Sequence, residues 1–237
     1  MPSEISILLM AAATIGLIHT VLGPDHYLPF IVMARAGQWS LRKTMLVTAL
    51  CGVGHVLGSV LLGAVGIGLG IAISQLEALE AIRGGVAAWV LIAFGLVYTI
   101  WGLRWAYRRR PHQHLHVHEN GTYHMHKHVH AKEHAHVHAH EGSARLTPWI
   151  LFTIFVLGPC ESLIPVLMYP AAKSSLPGLV LVVGTFAVVT VLTMLTIVGI
   201  ATVGARRISM KPLERYTHAI AGATICLSGL AIQFLGM

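Results

Sequence analysis

The chain has 237 residues, of which 55% are hydrophobic and only 11% are charged. A soluble domain of this size carries about 25% charged residues, so the composition excludes a soluble enzyme and predicts a polytopic membrane protein. The net charge of +7 does not indicate nucleic-acid binding, because the basic residues flank the apolar runs.

Six apolar runs are each long enough to cross the hydrocarbon core of a bilayer. They lie at 5–34, 44–73, 84–106, 148–171, 176–203 and 213–235. No basic residue precedes the first run, as it would in a secretory signal peptide, so we expect this run to stay in the mature protein as a membrane span. The sequence predicts an all-α protein with six transmembrane helices.

The distribution of lysine and arginine predicts the orientation in the membrane. Fourteen of these residues lie in the connections after spans 1, 3 and 5, whereas only Arg83 and Lys173 lie on the opposite side. Positive residues concentrate in cytoplasmic loops. We therefore expect both termini outside, the long connection 111–145 in the cytoplasm, and a location in the cytoplasmic membrane of a prokaryote.

The first span is interrupted at Gly23-Pro24, beside His19, Asp25 and His26. Proline removes a backbone donor and breaks a helix, and freed backbone groups in a membrane are tolerated only inside protein or along a cavity. An ionisable group at the bilayer centre costs roughly 2.5–3.5 kcal/mol and is a candidate for function. Carboxylate and imidazole are ligands for divalent transition metals, so the sequence predicts a metal site at a broken helix.

The fourth span repeats this pattern, because Gly158-Pro159 is followed by Cys160 and Glu161. With three spans in each half, the second copy must enter the membrane from the opposite side, which predicts two inverted three-helix repeats with helices 1 and 4 broken. The predicted units are the first repeat at 1–110, the cytoplasmic loop at 111–145 and the second repeat at 146–237. A simple helix kink is the alternative reading of either Gly-Pro pair.

The second span adds His55 as a candidate third imidazole ligand. The alternative is a histidine that forms a hydrogen bond across a helix interface. The neighbouring Gly54 and Gly58 suit a close approach of helices. By contrast, we expect His218, near Arg215 at the start of span 6, to be an interfacial residue and not a ligand.

The connection 111–145 holds twelve of the sixteen histidines, mostly at alternate positions. They are His112, His114, His116, His118, His124, His126, His128, His130, His134, His136, His138 and His140. Such tracts are typical of metal binding. A three-residue hairpin loop at Glu119-Asn120-Gly121 would place the first two histidine rows on one face, whereas a two-residue Asn-Gly turn would split them. The sequence predicts a metal-collecting loop; the alternative is a flexible linker that binds metal incidentally.

These motifs resemble the nickel/cobalt transporter family of the NicO type, within the LysE-like transporter superfamily. His19, Asp25 and His26 look like the His-x4-Asp-His signature of that family, with five residues in place of four between His19 and Asp25. Gly54-His55 resembles its second motif. The resemblance implies a six-helix membrane transporter that carries nickel or cobalt.

The leading prediction is transport of a divalent transition metal ion through a site near the midplane. The predicted ligands are His19, Asp25, His26, His55, Cys160 and Glu161. Nickel or cobalt is the preferred cargo, zinc is a further candidate, and the cytoplasmic loop slightly favours efflux. Neither a catalytic activity nor a permanent cofactor is expected. Metal binds neutral imidazole and so competes with protons, which predicts proton-coupled or pH-sensitive transport.

Other readings use the same residues differently. The superfamily also contains electron carriers with one cysteine in each half, and Cys160 could act in such a thiol relay, although Asp25 stands at the equivalent position of the first half. An anion exporter would bind its substrate at half-helix amino termini, but Asp25 and Glu161 would repel an anion. An accessory protein that only delivers metal is a further alternative. The three cysteines lie in apolar spans without a Cys-x-x-Cys pair, so no disulfide framework is expected.

Overall fold

A computed structural model of the chain describes residues 2–108, 112–117, 123–128, 141–158, 160, 162–166, 176–207 and 211–235. Its helices are α1 (Pro2–Leu22), α2 (Leu28–Ala36), α3 (Leu41–Gly68), α4 (Ile73–Arg108), α5 (Glu141–Leu157), α6 (Leu176–Arg207) and α7 (Thr217–Leu235). Short 3₁₀ turns occupy Pro24–His26 and Lys211–Tyr216, and one further helical turn lies at 163–166. Some predicted ligands lie outside the described residues: Glu161, His118, His130, His134, His136, His138 and His140.

The helices are those of an integral membrane protein. Among the described residues, five helices are long and apolar enough to cross a bilayer: α1, α3, α4, α6 and α7 with the end of the turn before it. The apolar part of α5, Pro148–Leu157, is shorter. Their outward faces carry large apolar side chains that are more than half exposed, among them Leu46, Leu57, Leu61, Leu181 and Leu192. Such a surface suits lipid and not water.

The first span is broken where the sequence predicts it. Helix α1 ends at Leu22, the 3₁₀ turn Pro24–His26 follows, and α2 begins at Leu28. The Gly23 amide closes α1 by donating to the His19 carbonyl at 3.0 Å, and the His26 amide then donates to the Gly23 carbonyl at 3.1 Å. Proline at position 24 has no N–H with which to continue the α-helical ladder, so the chain turns here.

Helix α4 differs from the predicted third span, which begins at 84. It starts eleven residues earlier, at Ile73. The added segment contains the charged residues Glu80 and Arg83. These two side chains form an ion pair, with 3.0 Å between Arg83 Nη1 and Glu80 Oε1, and the Glu80 side chain is fully buried. Pairing inside the protein lets the helix continue through both charges.

The bundle is held by a small set of helix contacts. Helix α4 packs along α7, α1 packs against α6, and α3 packs against both α5 and α6. Helix α2 fills the space beside α6 and α7. A buried cluster that includes Phe30, Met33, Phe155, Met194 and Ile225 forms the core where these helices meet.

The α4–α7 contact depends on glycine. A Cβ atom at Gly95 would lie 2.7 Å from Cys226 Cα, and one at Gly102 would lie 2.8 Å from Ala219 Cα, so neither position has room for a side chain. Small residues that let helix backbones approach closely are the usual basis of helix association in membranes.

We expect Gly95→Ala to lower the free energy of unfolding by about 1–3 kcal/mol, because the added methyl group would push α4 away from α7. Thermal unfolding of the purified chain in detergent measures this effect. Gly184→Ala is the matched control, since no described residue beyond its own stretch of α6 lies within 4 Å of a Cβ built there. Equal destabilisation by the two substitutions would contradict the proposed role of close packing.

The described part of the connection 111–145 contains a two-stranded antiparallel hairpin, β1 (His112–Val117) and β2 (Tyr123–His128). Its register pairs His112 with His128, His114 with His126 and His116 with His124. Residues 118–122 separate the strands, so the connection has an odd length. Histidine positions therefore pair with histidine positions, as an odd-length connection predicts and a two-residue Asn-Gly turn does not.

Candidate metal site at the broken helices

Three histidines from separate parts of the first half converge inside the bundle. His19 lies in the last turn of α1, His26 ends the 3₁₀ turn after the break, and His55 lies in the middle of α3. One ring nitrogen from each lies within 4.8 Å of the other two. His26 and His55 are 2% and 1% exposed. Among the described residues, this is the one group of three or more side chains that could hold a metal ion.

The break in the first span brings His26 to His19. A continuous helix would separate the side chains at positions 19 and 26, but after the 3₁₀ turn the ring centroids of these two residues lie 4.7 Å apart. The turn requires glycine at position 23, because a Cβ atom there would collide with His26 Nδ1 and lie 2.9 Å from Asp25 Oδ1. The conformation of Gly23 and the position of the imidazole are thus linked.

Two of the imidazoles are oriented through their Nδ1 atoms. His26 Nδ1 lies 3.1 Å from Asp25 Oδ1 and 3.2 Å from the Gly23 carbonyl oxygen. His55 Nδ1 lies 3.3 Å from the Phe155 carbonyl oxygen. Since carboxylate and carbonyl oxygens only accept hydrogen bonds, each Nδ1 carries the proton and donates it. Metal-binding histidines commonly have this kind of orienting partner.

The same hydrogen bonds leave the two Nε2 atoms as acceptors that face each other. His26 Nε2 and His55 Nε2 are 3.4 Å apart. Two nitrogen ligands about 2.05 Å from a tetrahedral ion are separated by about 3.3 Å. Two lone pairs this close repel unless a cation or a proton lies between them, so the pair is suited to bind a positive ion.

The second half of the chain completes the surroundings of His19. Its Nε2 lies 3.7 Å from Cys160 Sγ, and its Nδ1 lies 3.4 Å from Ser162 Oγ. Both partners follow the second Gly-Pro pair. The two interrupted segments predicted from the sequence are therefore neighbours inside the protein.

The predicted site residues occupy different positions around this cluster. The structure brings His19, His26 and His55 together as predicted. Asp25 lies beside them as the hydrogen-bond partner of His26, with its side chain 22% exposed. Cys160 is buried against His19 but is not part of the three-histidine group. A direct ligand role for either Asp25 or Cys160 stays a prediction.

His218 lies elsewhere, at a helix interface. Its Nδ1 is 2.7 Å from the Tyr98 hydroxyl, and its ring contacts the rings of Trp101 and Trp105 edge-on. These contacts join the start of α7 to α4. The structure therefore places His218 at a helix interface, and the absence of a ligand role stays a prediction.

Sequence reasoning missed the polar network that supports the second break. Arg83 donates to the Leu157 carbonyl at 3.1 Å, to the Gly158 carbonyl at 2.8 Å and to Ser59 Oγ at 2.7 Å. The Cys160 amide donates to Ser59 Oγ at 3.2 Å and to Glu80 Oε2 at 3.3 Å. The end of a helix leaves carbonyl groups without intrahelical partners, and in a membrane these must be satisfied within the protein. The only sequence signal was a Glu–Arg pair three residues apart at the edge of a span.

A cavity of about 540 Å³ adjoins the histidines. Its wall includes the three imidazoles and Asp25, small residues of α4 such as Gly84 and Gly85, and Gln233 of α7. The small residues leave room between α4 and the broken helix. The cavity provides space for a hydrated ion to reach the imidazoles.

The three-histidine cluster is the feature of this fold with the most specific chemistry. Comparison of the chain with known protein families, with characterised proteins and with solved structures found no match.

Proposed function

We propose that this protein transports a divalent transition metal ion across the membrane, with nickel or cobalt as the preferred cargo and zinc as a further candidate. The observation that carries the proposal is the pair of facing Nε2 atoms of His26 and His55, 3.4 Å apart, in rings whose Nδ1 atoms both donate elsewhere. A bound cation would relieve the repulsion between their lone pairs. His19 is the third ligand of this site.

The chemistry of the ligands supports an exchangeable ion. Three protein ligands leave a coordination position open for water, as catalytic zinc sites do and closed structural sites do not. Imidazole suits nickel, copper, iron and zinc, so these residues define a class of ions and not one metal. Asp25 acts through His26 by holding the ring and raising its basicity. No resident cofactor and no catalytic step are part of this proposal.

The pattern of helix packing supports two inverted repeats. The first repeat contains α1 with α2, α3 and α4; the second contains α5 with the turn at 163–166, α6 and α7. In this arrangement α1 corresponds to α5, α3 to α6 and α4 to α7. Exchanging the two repeats therefore turns the α1–α6 contact into the α5–α3 contact, and both contacts occur. The α4–α7 and α3–α6 contacts convert into themselves. In transporters of this construction, substrate binds where the broken helices of the two repeats meet, and the histidine cluster has that position.

The histidine-rich connection supplies the second part of the proposal. Helix α4 leads directly into it at the end where basic residues collect, such as Arg104 and Arg108. By the positive-inside rule this end is cytoplasmic, so both termini lie outside. The register of β1 and β2 pairs histidine positions there, and histidine-rich tracts are typical of metal binding. We propose that the connection collects metal at the cytoplasmic face and favours efflux, in the inner membrane of a prokaryote.

Flux measurements in proteoliposomes test the function. Nickel, cobalt, zinc, copper and iron would be compared for the full chain and for a chain that lacks 112–140. We expect at least one of these metals to cross, and deletion of the connection to slow transport without abolishing it, because the three-histidine site lies outside the deleted segment. If none of the five metals crosses with the full chain, the proposal is wrong, and the anion-export and thiol-relay alternatives have to be tested.

Transport is expected to depend on pH. Binding requires neutral imidazole, and free imidazole has a pKa of about 6.5. Protons therefore compete with the metal increasingly as the pH falls from about 8 to about 6, so metal affinity should fall over this range. Equilibrium binding and initial flux at a series of pH values measure the effect. Metal affinity that stays constant as the pH falls, down to the pH at which the protein unfolds, would contradict imidazole ligation.

A further inference from the structure

A second cavity lies at the end of the bundle where α4 ends and the basic residues collect. Its volume is about 1130 Å³, and it opens between the ends of α2 and α6, the turn Lys211–Tyr216 and the start of α7. No described residue lines both this cavity and the histidine cavity. The proposed transport of metal makes no use of it.

The charge of this second cavity is almost entirely positive. Its lining includes four arginines contributed by three separate elements: Arg35, Arg206, Arg207 and Arg215. Glu214 is the single acidic residue among the described lining residues. Trp39 and Trp105 also line it, and tryptophan is typical of the membrane–water interface. This lining favours an anionic group that can reach the membrane interface.

Some of the arginines also hold the cavity together. Arg35 donates to the Ala205 carbonyl and so ties α2 to α6. Arg206 donates to the Trp39 carbonyl at 2.7 Å, which joins the same two elements. Arg215 stacks over the Tyr216 ring at 4.6 Å. Arg207 and Arg215 are exposed and are therefore available to a ligand without disruption of the α2–α6 contact.

A buried hydroxyl in the wall points to a ligand as well. Thr202 lines the cavity and is 4% exposed, and its Oγ1 has no hydrogen-bond partner among the described residues. Thr185 and Thr196 of the same helix donate to the carbonyl four residues earlier at 2.8 Å and 2.7 Å. Thr190 is, like Thr202, buried without a hydrogen-bond partner among the described residues, but it does not line this cavity. Leaving a buried hydroxyl unsatisfied costs about 1–3 kcal/mol, so an acceptor from a ligand would be stabilising here.

We propose that this cavity binds a phosphate group, carried by an anionic membrane lipid or by free phosphate. Arginine is well matched to phosphate because its planar donors bind two oxygens at once. The Thr202 hydroxyl would donate to a third oxygen. Basic pockets between membrane helices bind lipid head groups in this way. The site is separate from the metal site and does not depend on the metal-transport proposal.

Native mass spectrometry of the purified full chain in detergent tests the proposal. Phosphatidylglycerol would be titrated as the anionic lipid, phosphatidylcholine as the zwitterionic one, and inorganic phosphate as a competitor. We expect Arg207→Gln and Arg215→Gln each to weaken phosphatidylglycerol binding about fivefold. Thr202→Val should weaken it about tenfold without a change of charge, whereas Thr202→Ser should keep the affinity of the unmodified chain.

The matched control is Arg108→Gln, which removes an exposed arginine at the same end of the bundle but outside the cavity. Binding that depends on Arg207, Arg215 and Thr202 but not on Arg108 supports the site. Resistance to inorganic phosphate then identifies lipid as the source, and displacement by it identifies free phosphate. Equal losses in the Arg108 and Arg207 variants, or full binding by Thr202→Val, would overturn the proposal, because general surface charge would then explain the binding.

Discussion

Replacing His26 with alanine is expected to abolish metal flux and to remove the high-affinity metal site. His26 supplies one of the two facing Nε2 atoms, and its ring lies between His19 and His55, with centroid distances of 4.7 Å and 5.0 Å. Without it, the remaining two imidazoles are 6.0 Å apart between centroids. Equilibrium dialysis with nickel or cobalt and flux in proteoliposomes measure the two effects, and thermal unfolding checks that the variant is folded.

Replacing Asp25, the hydrogen-bond partner of His26, is expected to weaken metal binding without abolishing it. Asp25→Asn keeps the size of the side chain but weakens the hydrogen bond to His26 Nδ1, which is 3.1 Å in the unmodified protein. Loss of such an orienting carboxylate lowers metal affinity about 10–100-fold, so Asp25→Asn should weaken binding while His26→Ala eliminates it. If Asp25→Asn eliminates binding as well, Asp25 is a direct ligand.

The control for a histidine at a helix interface is His218→Ala. His218 contacts Tyr98 and Trp105 and is not part of the histidine cluster. This variant should keep its metal affinity even where its unfolding temperature falls. Unchanged metal flux in a folded His26→Ala variant would exclude the His26–His55 pair as the transport site.

The second large effect is expected from Arg83→Gln. The substitution leaves Glu80 as a buried charge without its ion-pair partner and removes the donors to the Leu157 and Gly158 carbonyls. Breaking a buried pair by removal of one partner costs about 3–5 kcal/mol. We therefore expect a large fall in the free energy of unfolding in detergent, and also a loss of metal affinity, because the segment beside His19 is no longer held.

Two further variants separate the contributions of charge and hydrogen bonding. The double variant Glu80→Gln with Arg83→Gln removes both charges and should regain part of the lost stability, since no uncompensated charge remains. Arg104→Gln removes an exposed arginine farther along α4 and should change stability little. A single Arg83→Gln variant as stable as the unmodified chain would show that the network does not support the second break.

The sequence by itself determined the class of protein, the break in the first span and the kinds of ionisable side chain that lie beside the break. These properties follow from local chemistry: an apolar run of sufficient length spans a bilayer, Gly23-Pro24 cannot continue a helix, and ionisable residues inside a span mark function. The histidines of the hairpin occupy alternate positions, which is the period of a strand. With a connection of odd length, these positions face one another in the register of β1 and β2.

The tertiary structure decided which side chains meet. His26 and His55 are 29 positions apart, and Arg83 and Gly158 are 75 positions apart. Spacing along the chain cannot show that such residues share a site, because helix packing sets their distance. The same reason explains why Arg83 was read as a residue that flanks a span, although it pairs with Glu80 inside one. It also explains why the cavity lined by Arg207 and Arg215 has no counterpart in any sequence motif.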